Sequence, residues 1–261
     1  MISVEHLIKK FGSLIAVNDI SFEVKPGEIF AFLGPNGAGK TTTIKMLTTL
    51  LHPTSGQIRI DGFDPLTQQA EVRRLFGIVF QDQSLDDELT AYENLEFHGV
   101  LYGVVKAERR SKIEEMLKFV DLWDRKDDQI KNFSGGMRRR IEIARGLIHT
   151  PKILYLDEPT LGLDPQTRNH IWGYIKNLNA KNNMTVFFTT HHMEEVDRAA
   201  TRVAIIDQGQ IVATGTPDEL KKKTGKATLE EAFLEITGHE IRAEEANGAD
   251  RLRQQRKMWR R

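Results

Sequence analysis

The sequence predicts an α/β fold with a parallel central sheet, an antiparallel β subdomain at the N-terminus and an inserted α-helical subdomain. Three observations lead to this prediction. Short apolar runs of strand length alternate with helix-length segments along most of the chain, which is typical of parallel strand pairing. The N-terminal region instead shows period-two alternation, and the stretch from about residue 86 to 145 has charged, helical periodicity. One domain over residues 1–240 accounts for all of these elements.

The N-terminal strands come first. Ile20, Phe22 and Val24 alternate with polar neighbours and are followed by a Pro-Gly turn, so residues 2–33 are expected to be rich in strands. Residues 57–60 alternate in the same way before an Asp-Gly turn. These segments make up the predicted antiparallel subdomain.

A glycine-rich loop follows the apolar run at residues 29–33. Its members are Gly34, Pro35, Asn36, Gly37, Ala38, Gly39, Lys40, Thr41 and Thr42. This spacing satisfies the phosphate-loop pattern, in which the glycines turn backbone N–H groups inward, the lysine reaches the terminal phosphates and the first threonine hydroxyl ligates Mg²⁺. Residues 42–51 are predicted to form the helix that the pattern requires. The loop therefore predicts binding of a nucleotide together with Mg²⁺.

The segment between residues 86 and 128 is predicted to be helical. Thr90 and Glu93 form a capping-box pattern, which marks the start of its first helix. An apolar stripe along this segment is predicted to pack in the core, and a surface that binds a partner is the alternative. The stripe consists of Leu95, Val100, Leu101, Ile113, Met116, Leu117 and Val120.

Buried parallel strands are predicted in the second half of the chain, at residues 152–156, 184–190 and 202–206. Helices separate them, and Asp164 followed by a proline caps one of these helices. Further capping boxes near the C-terminus predict two short helices. The last segment, residues 241–261, is predicted to be a charged, disordered tail, and contact of its basic end with anionic lipid is the alternative.

Two acids follow the predicted strand at residues 152–156. Asp157 is placed to hold the water shell of Mg²⁺, and Glu158 to orient and deprotonate an attacking water. A second feature lies earlier in the chain, where Ser134-Gly135-Gly136 precedes a helix. Its hydroxyl and free backbone N–H groups predict a second anion site.

Bulk properties exclude several classes of protein. Lys plus Arg and Asp plus Glu both number 37, so the net charge gives no case for a nucleic-acid partner. No apolar run approaches the roughly 18 residues of a membrane span, and no secretory signal begins the chain. The sequence has no cysteine. A soluble protein of a reducing cytosol is expected.

Taken together, these motifs resemble the nucleotide-binding domain of ATP-binding cassette (ABC) transporters. The resemblance rests on the phosphate loop and on Phe-Ser-Gly-Gly-Met at residues 133–137, called the signature below, and it covers about residues 1–240. It implies a P-loop NTPase core that hydrolyses ATP with Mg²⁺ as cofactor. Phe133 and Met137 depart from the usual leucine and glutamine of the signature, and Phe11 stands where tyrosine often stacks on adenine.

The resemblance also implies roles for single residues. Phe11 would stack on adenine, Gln81 would sense Mg²⁺ and the attacking water, and Asp164 would lie in a loop that crosses a dimer interface. His191 would contact the γ-phosphate, with the adjacent His192 as the competing assignment. The full predicted site comprises catalytic Glu158, His191 and Gln81; nucleotide-binding Phe11, Gly34, Pro35, Asn36, Gly37, Ala38, Gly39, Lys40, Thr41, Thr42, Ser134, Gly135, Gly136 and Asp164; and metal-binding Thr41, Gln81 and Asp157.

Two partners follow from the resemblance. A second copy would bind head to tail, with ATP held between the phosphate loop of one copy and Ser134 of the other. A polytopic membrane permease would be driven by this dimer from the cytoplasmic face of the cell membrane, and no nucleic acid is expected. Residues 76–83, 137–147 and 190–196 look most like the drug-resistance (daunorubicin-type) branch of exporter ATPases. The alternatives are a soluble ABC ATPase acting on nucleic acid or the ribosome, and a simple P-loop kinase or GTPase, which would lack the signature.

Overall fold

The computed structural model describes residues 1–238, which form two sheets flanked by helices. The strands are β1 (Ile2–Phe11), β2 (Leu14–Val24), β3 (Ile29–Leu33), β4 (Ser55–Ile60), β5 (Phe76–Val79), β6 (Ile153–Asp157), β7 (Thr185–Thr190), β8 (Arg202–Asp207) and β9 (Gln210–Gly215). The helices are α1 (Lys40–Leu47), α2 (Gln69–Leu75), α3 (Ala91–Leu101), α4 (Lys106–Phe119), α5 (Gly135–Leu147), α6 (Pro165–Asn182), α7 (Met193–Ala199), α8 (Pro217–Thr224) and α9 (Leu229–Thr237). The tail predicted for residues 241–261 lies outside the described residues.

The larger sheet has six strands in the order β5-β6-β7-β3-β8-β9. Its first five strands pair in parallel, and β9 pairs antiparallel with β8 at the edge. The smaller sheet, in the order β2-β1-β4, is antiparallel throughout. The predicted parallel core and antiparallel N-terminal sheet are confirmed, and the antiparallel edge strand β9 is an addition that the sequence pattern did not reveal.

The larger sheet is covered on both faces. On β3, Phe30 and Phe32 pack towards the smaller sheet and α1, whereas Ala31 and Leu33 pack towards α3, α4, α5 and α6. All four side chains are fully buried. Because neither face meets water, the central strands are continuous apolar runs rather than alternating ones.

Side-chain caps fix the starts of several helices. At α3, the Glu93 N–H donates to Thr90 Oγ1 at 3.1 Å and the Thr90 N–H donates to Glu93 Oε2 at 2.8 Å. The same reciprocal arrangement begins α8 at Thr216 and α9 at Thr228. The predicted capping boxes are confirmed, since each satisfies backbone N–H groups that the first helical turn leaves free.

The apolar stripe of the helical segment is only partly core. Leu95, Ile113, Met116, Leu117 and Val120 are buried. Val100 and Leu101, however, are 52% and 64% exposed, so the prediction that they are core was wrong. The buried face of α3 is formed by Ala91, Asn94, Leu95 and Gly99. Val100 and Leu101 follow that face around the helix and point outward with Phe97. No helix among residues 1–238 is long and apolar enough to cross a membrane.

Candidate functional site

The carboxyl ends of the neighbouring strands β3, β7 and β6 meet at one edge of the larger sheet. Leu33 at the end of β3 pairs with Thr190 of β7, and Asp157 at the end of β6 pairs with Thr189. Parallel sheets assemble ligand sites at this edge. The cleft found there is lined by Asn36, Gly37, Gly39, Lys40, Thr41, Thr42, Gln81, Glu158, Leu161 and His191.

The glycine-rich loop wraps the start of α1. Gly37 and Gly39 have φ angles of 81° and 109°, which side-chain-bearing residues disfavour, and Gly39 is the N-cap of α1. A Cβ atom at Gly34 would lie 2.2 Å from a carbonyl oxygen of β8, so this position admits only glycine. Lys40 Nζ donates to the carbonyl oxygens of Gly34 at 2.7 Å and Pro35 at 3.2 Å. Free N–H groups and an ammonium at a helix N-terminus form a site for phosphate.

Asp157 lies behind the loop and is almost fully buried. Its Oδ1 accepts a hydrogen bond from Thr189 Oγ1 at 2.6 Å and a longer one from Thr41 Oγ1 at 3.4 Å. Burial raises the pKa of Asp157, while the hydrogen bonds from Thr189 and Thr41 act in the opposite direction. A carboxylate and a hydroxyl therefore face each other beside the phosphate loop.

Glu158 points into the cleft from a left-handed backbone conformation, with φ of 52°. Its Oε2 accepts a hydrogen bond from His191 Nδ1 at 2.8 Å. Burial alone would raise the pKa of Glu158, but the hydrogen bond and charge of His191, with the charge of Lys40, bring it below its ordinary value. The same hydrogen bond raises the pKa of His191, whereas burial and the charge of His191 lower that of His192. Glu158 is consequently ionised at neutral pH and able to accept a proton.

Comparisons with known proteins bear on this arrangement. A family model described as ABC transporter matches residues 17–161. The linearmycin resistance ATP-binding protein LnrL of Bacillus subtilis is 42% identical over 92% of this chain and 83% of its own. The chain belongs to the ABC transporter family. It is an ATP-binding subunit of an ABC transporter and an ATP hydrolase.

Two further similarities refine the ABC assignment. The daunorubicin/doxorubicin resistance ATP-binding protein DrrA of Streptomyces peucetius is 42% identical over 85% of this chain and 67% of its own. The predicted resemblance to the drug-resistance branch is thereby confirmed. Among solved structures, a dimeric ATP-binding cassette in a post-hydrolysis state with ADP and phosphate superposes with a TM-score of 0.76 at 29% identity. That match covers 83% of this chain and 98% of the cassette.

The ABC signature lies away from the cleft of its own chain. Ser134 is the N-cap of α5, where its Oγ accepts a hydrogen bond from the Met137 N–H at 3.3 Å. Neither Ser134 nor the following Gly135 and Gly136 lines the cleft that holds the phosphate loop. The structure thus brings together one group of predicted site residues and leaves the signature group apart.

Other predicted site residues of the ABC chain also lie outside the cleft lining. Phe11 on β1 is 48% exposed, and Lys9 Nζ lies 4.9 Å from the centroid of its ring. Asp164 caps α6 by accepting hydrogen bonds from the Thr167 N–H at 3.0 Å and from Thr167 Oγ1 at 2.6 Å, which lower the pKa of Asp164. Within the loop itself, Gly34, Pro35 and Ala38 do not line the cleft. Adenine stacking by Phe11 and an interface role for Asp164 remain predictions.

Three buried charged residues near the ABC site were missed from the sequence. Glu195 on α7 accepts hydrogen bonds from Thr160 Oγ1 at 2.5 Å and Thr190 Oγ1 at 3.2 Å, and so joins the loop after β6 to the last residue of β7. Arg139 and Glu142 form an ion pair on the buried face of α5. Their three-residue spacing was the available signal, because opposite charges at that spacing meet on one helix face.

Proposed function

We propose that this ABC subunit hydrolyses ATP in a head-to-tail dimer with a second copy and thereby drives a separate membrane permease that exports a drug-like or other amphipathic compound. The observation that carries the proposal is the divided site. Most of the phosphate loop, Glu158 and His191 line one cleft, with Asp157 behind it in hydrogen-bond contact with Thr41, while the signature that would complete an ATP site opens elsewhere on the surface. A second copy supplies the missing half without any change of fold.

Within one cleft, each residue has a proposed role. The N–H groups of the loop and the Lys40 ammonium bind the β- and γ-phosphates. Thr41 and Asp157 present a hydroxyl and a carboxylate oxygen, which are ligands that Mg²⁺ prefers, with Gln81 beside them in the cleft. Bound there, Mg²⁺ would neutralise charge that develops on the phosphate oxygens.

Glu158 is the proposed general base. Its carboxylate accepts a proton from a water molecule, whose oxygen forms a bond to the γ-phosphorus while the bond from that phosphorus to the β-γ bridging oxygen breaks. His191 holds the Glu158 carboxylate through the 2.8 Å hydrogen bond from Nδ1 and fixes the direction in which it faces. His191 is thus placed to contact both the γ-phosphate and the general base Glu158.

The second copy would contribute its signature. Ser134 and the N–H groups at the start of α5 form the same kind of anion site as the phosphate loop, and the N-terminal end of a helix favours negative charge. The similar solved cassette is itself a dimer, which supports pairing of two copies. ATP would lie between the loop of one copy and Ser134 of the other.

A membrane permease is the proposed second partner. An apolar surface on and after α3 is exposed to solvent, and it consists of Phe97, Val100, Leu101 and Val105. Exposed apolar patches of this kind mark interaction sites. Because the relatives are named for linearmycin resistance and daunorubicin/doxorubicin resistance, export from the cytoplasmic face of the membrane is the favoured direction, and the relatives give no support to a nucleic-acid partner.

Replacing Glu158 by glutamine tests the proposal. Glu158→Gln should bind ATP with a dissociation constant within about twofold of wild type and lose about 100-fold or more in kcat, as expected for a lost general base. ATP should also convert it into a stable dimer on size-exclusion chromatography, and adding Ser134→Arg should abolish that dimer. Glu108→Gln, at an exposed position on α4, is the matched control. Near-normal hydrolysis by Glu158→Gln would refute the assignment of the base, and a dimer that survives Ser134→Arg would refute the shared site.

A further inference from the structure

The ion pair between Arg139 and Glu142 is the most deeply placed charge pair on α5. The exposures of the two residues are 8% and 1%, and Arg139 Nη1 donates to Glu142 Oε2 at 2.9 Å. An ion pair in such a position contributes little to stability by itself, because desolvation offsets the attraction between the charges. Its role therefore lies in the other groups that the two side chains bind.

Arg139 binds the main chain on both sides of Glu158. Its Nη2 donates to the carbonyl oxygens of Asp157 at 3.1 Å and Glu158 at 2.9 Å, and its Nε donates to that of Pro159 at 2.7 Å. These three carbonyls belong to the segment where the backbone turns into the left-handed conformation at Glu158. The guanidinium thus fixes the main chain that aims the Glu158 carboxylate.

The same pair holds both ends of the segment that contains Gln81. Arg139 Nη1 donates to the carbonyl oxygen of Phe80, and Glu142 Oε1 accepts a hydrogen bond from the Ser84 N–H at 2.8 Å. One turn further along α5, Arg145 Nη1 donates to the Ser84 carbonyl oxygen at 2.6 Å. Gln81 therefore enters the cleft from a segment that is tied to α5 on either side.

All five N–H donors of the Arg139 guanidinium are used in this arrangement, four of them on main-chain carbonyls. A lysine could keep the positive charge beside Glu142, but it offers three donors around one point in place of the planar fork. The geometry therefore depends on the shape of arginine and not on its charge alone.

We infer that Arg139 and Glu142 are positioning residues for hydrolysis, which hold Glu158 and Gln81 in a fixed relation to α5. This inference rests on the proposed function, because the N-cap of α5 is Ser134, the residue that would touch ATP in the second copy's cleft. When Ser134 binds that nucleotide, a shift of α5 displaces Glu158 and Gln81 in the cleft of the same chain. The pair makes the hydrolysis step in one cleft respond to closure of the other, without itself touching ATP.

Arg139→Lys tests this role. The variant should be folded, as shown by a cooperative thermal unfolding transition. It should bind ATP with a dissociation constant within about twofold of wild type, because the phosphate loop is untouched. Its kcat should fall at least about tenfold, which is the pattern of an interaction needed after binding. Arg140→Lys is the matched control on the same helix, since Arg140 Nη1 donates to the Val120 carbonyl oxygen, and its kcat and ATP affinity should stay within twofold of wild type.

Glu142→Gln gives a second and independent test. The amide has the shape of the carboxylate but offers one acceptor oxygen in place of two, so either the Ser84 N–H or the one Arg139 N–H that faces Glu142 loses its acceptor. A fall in kcat with unchanged ATP affinity is again expected. A kcat within twofold of wild type in Arg139→Lys, an equal loss of ATP affinity and kcat, or loss of the fold in both variants would overturn the inference.

The proposed function and the positioning role can fail independently of each other. If Glu158→Gln hydrolyses ATP normally, the proposed function fails whatever Arg139→Lys does. If Glu158→Gln stalls and forms the ATP-dependent dimer while Arg139→Lys keeps full kcat, only the positioning role fails.

Discussion

Thr189 joins the two acids of the site, and its replacement by valine tests that connection. The Thr189 hydroxyl donates to Asp157 Oδ1 at 2.6 Å and accepts a hydrogen bond from the Glu158 N–H at 3.1 Å. Valine has the same heavy-atom shape, so Thr189→Val leaves no cavity at this fully buried position. The change removes a hydroxyl and puts a methyl group against a buried carboxylate.

The expected loss of stability follows from these two contacts. The Glu158 N–H keeps a second acceptor, the Thr189 carbonyl oxygen at 3.2 Å, so that donor stays satisfied. Asp157 Oδ1 keeps only the longer hydrogen bond from Thr41 Oγ1 at 3.4 Å, and the lost bond to a charged group contributes about 1.5–3 kcal/mol. Taking about 2 kcal/mol, the melting temperature should fall by about 4–8 °C in a chain of this size.

Thermal unfolding of the nucleotide-free protein at neutral pH measures this loss. Thr189→Ser retains the hydroxyl and loses only the buried methyl group, so it measures the contribution of that methyl group separately from the hydrogen bond. A Thr189→Val protein that melts within 1 °C or so of wild type would show that the bond to Asp157 contributes nothing, contrary to the usual range for charged acceptors.

Three further outcomes are expected. Gly77→Ala should destabilise the protein by about 2 kcal/mol or more, because a Cβ atom there would lie 2.0 Å from a carbonyl oxygen of α5. Gly173 lies in open space on α6, so Gly173→Ala should instead stabilise the protein by about 0.5–1 kcal/mol. Urea unfolding measures both changes. Burial lowers the pKa of His98 to about 3 and of His149 to about 4, so the unfolded chain takes up protons first as the pH falls below about 6.5. The free energy of unfolding should therefore drop by about 2 kcal/mol for each histidine between pH 7.5 and pH 5. Thermal melts at these two pH values should show this drop, and replacing both histidines by glutamine should remove it. Glu195→Gln should reduce kcat with little change in ATP affinity, and equal losses in both would assign that residue to folding alone.

The edge of the larger sheet that carries the site could be predicted, because the sequence patterns that indicate it are local. Asp157 and Glu158 directly follow an apolar run, and the glycine loop follows another, so strands ending at one edge of a parallel sheet had to bring them together. The cap at Asp164 was read in the same way from its neighbours. Such features depend on residues within a few positions of one another.

What the sequence did not reveal depends on contacts over longer separations. Arg139 lies within a run of three arginines, a pattern that ordinarily marks a solvated helix face. Its guanidinium can be buried because the carbonyl oxygens of Phe80 and Pro159, which are distant in sequence, accept its hydrogen bonds. In the opposite sense, Val100 and Leu101 continue an apolar stripe, and only the orientation of α3 decides that they face solvent. Partners beyond the helix, and not its periodicity, settle these positions.

The separation of Ser134 from the cleft of its own chain bears on how the free protein behaves at low concentration. If two chains share each site, the total rate in dilute solution follows the square of protein concentration, so a twofold dilution lowers it about fourfold. A permease that holds two chains side by side removes this dependence, because tethered copies have a high effective concentration. Unassembled chains would then hydrolyse little ATP, and hydrolysis would become rapid only in the complete transporter.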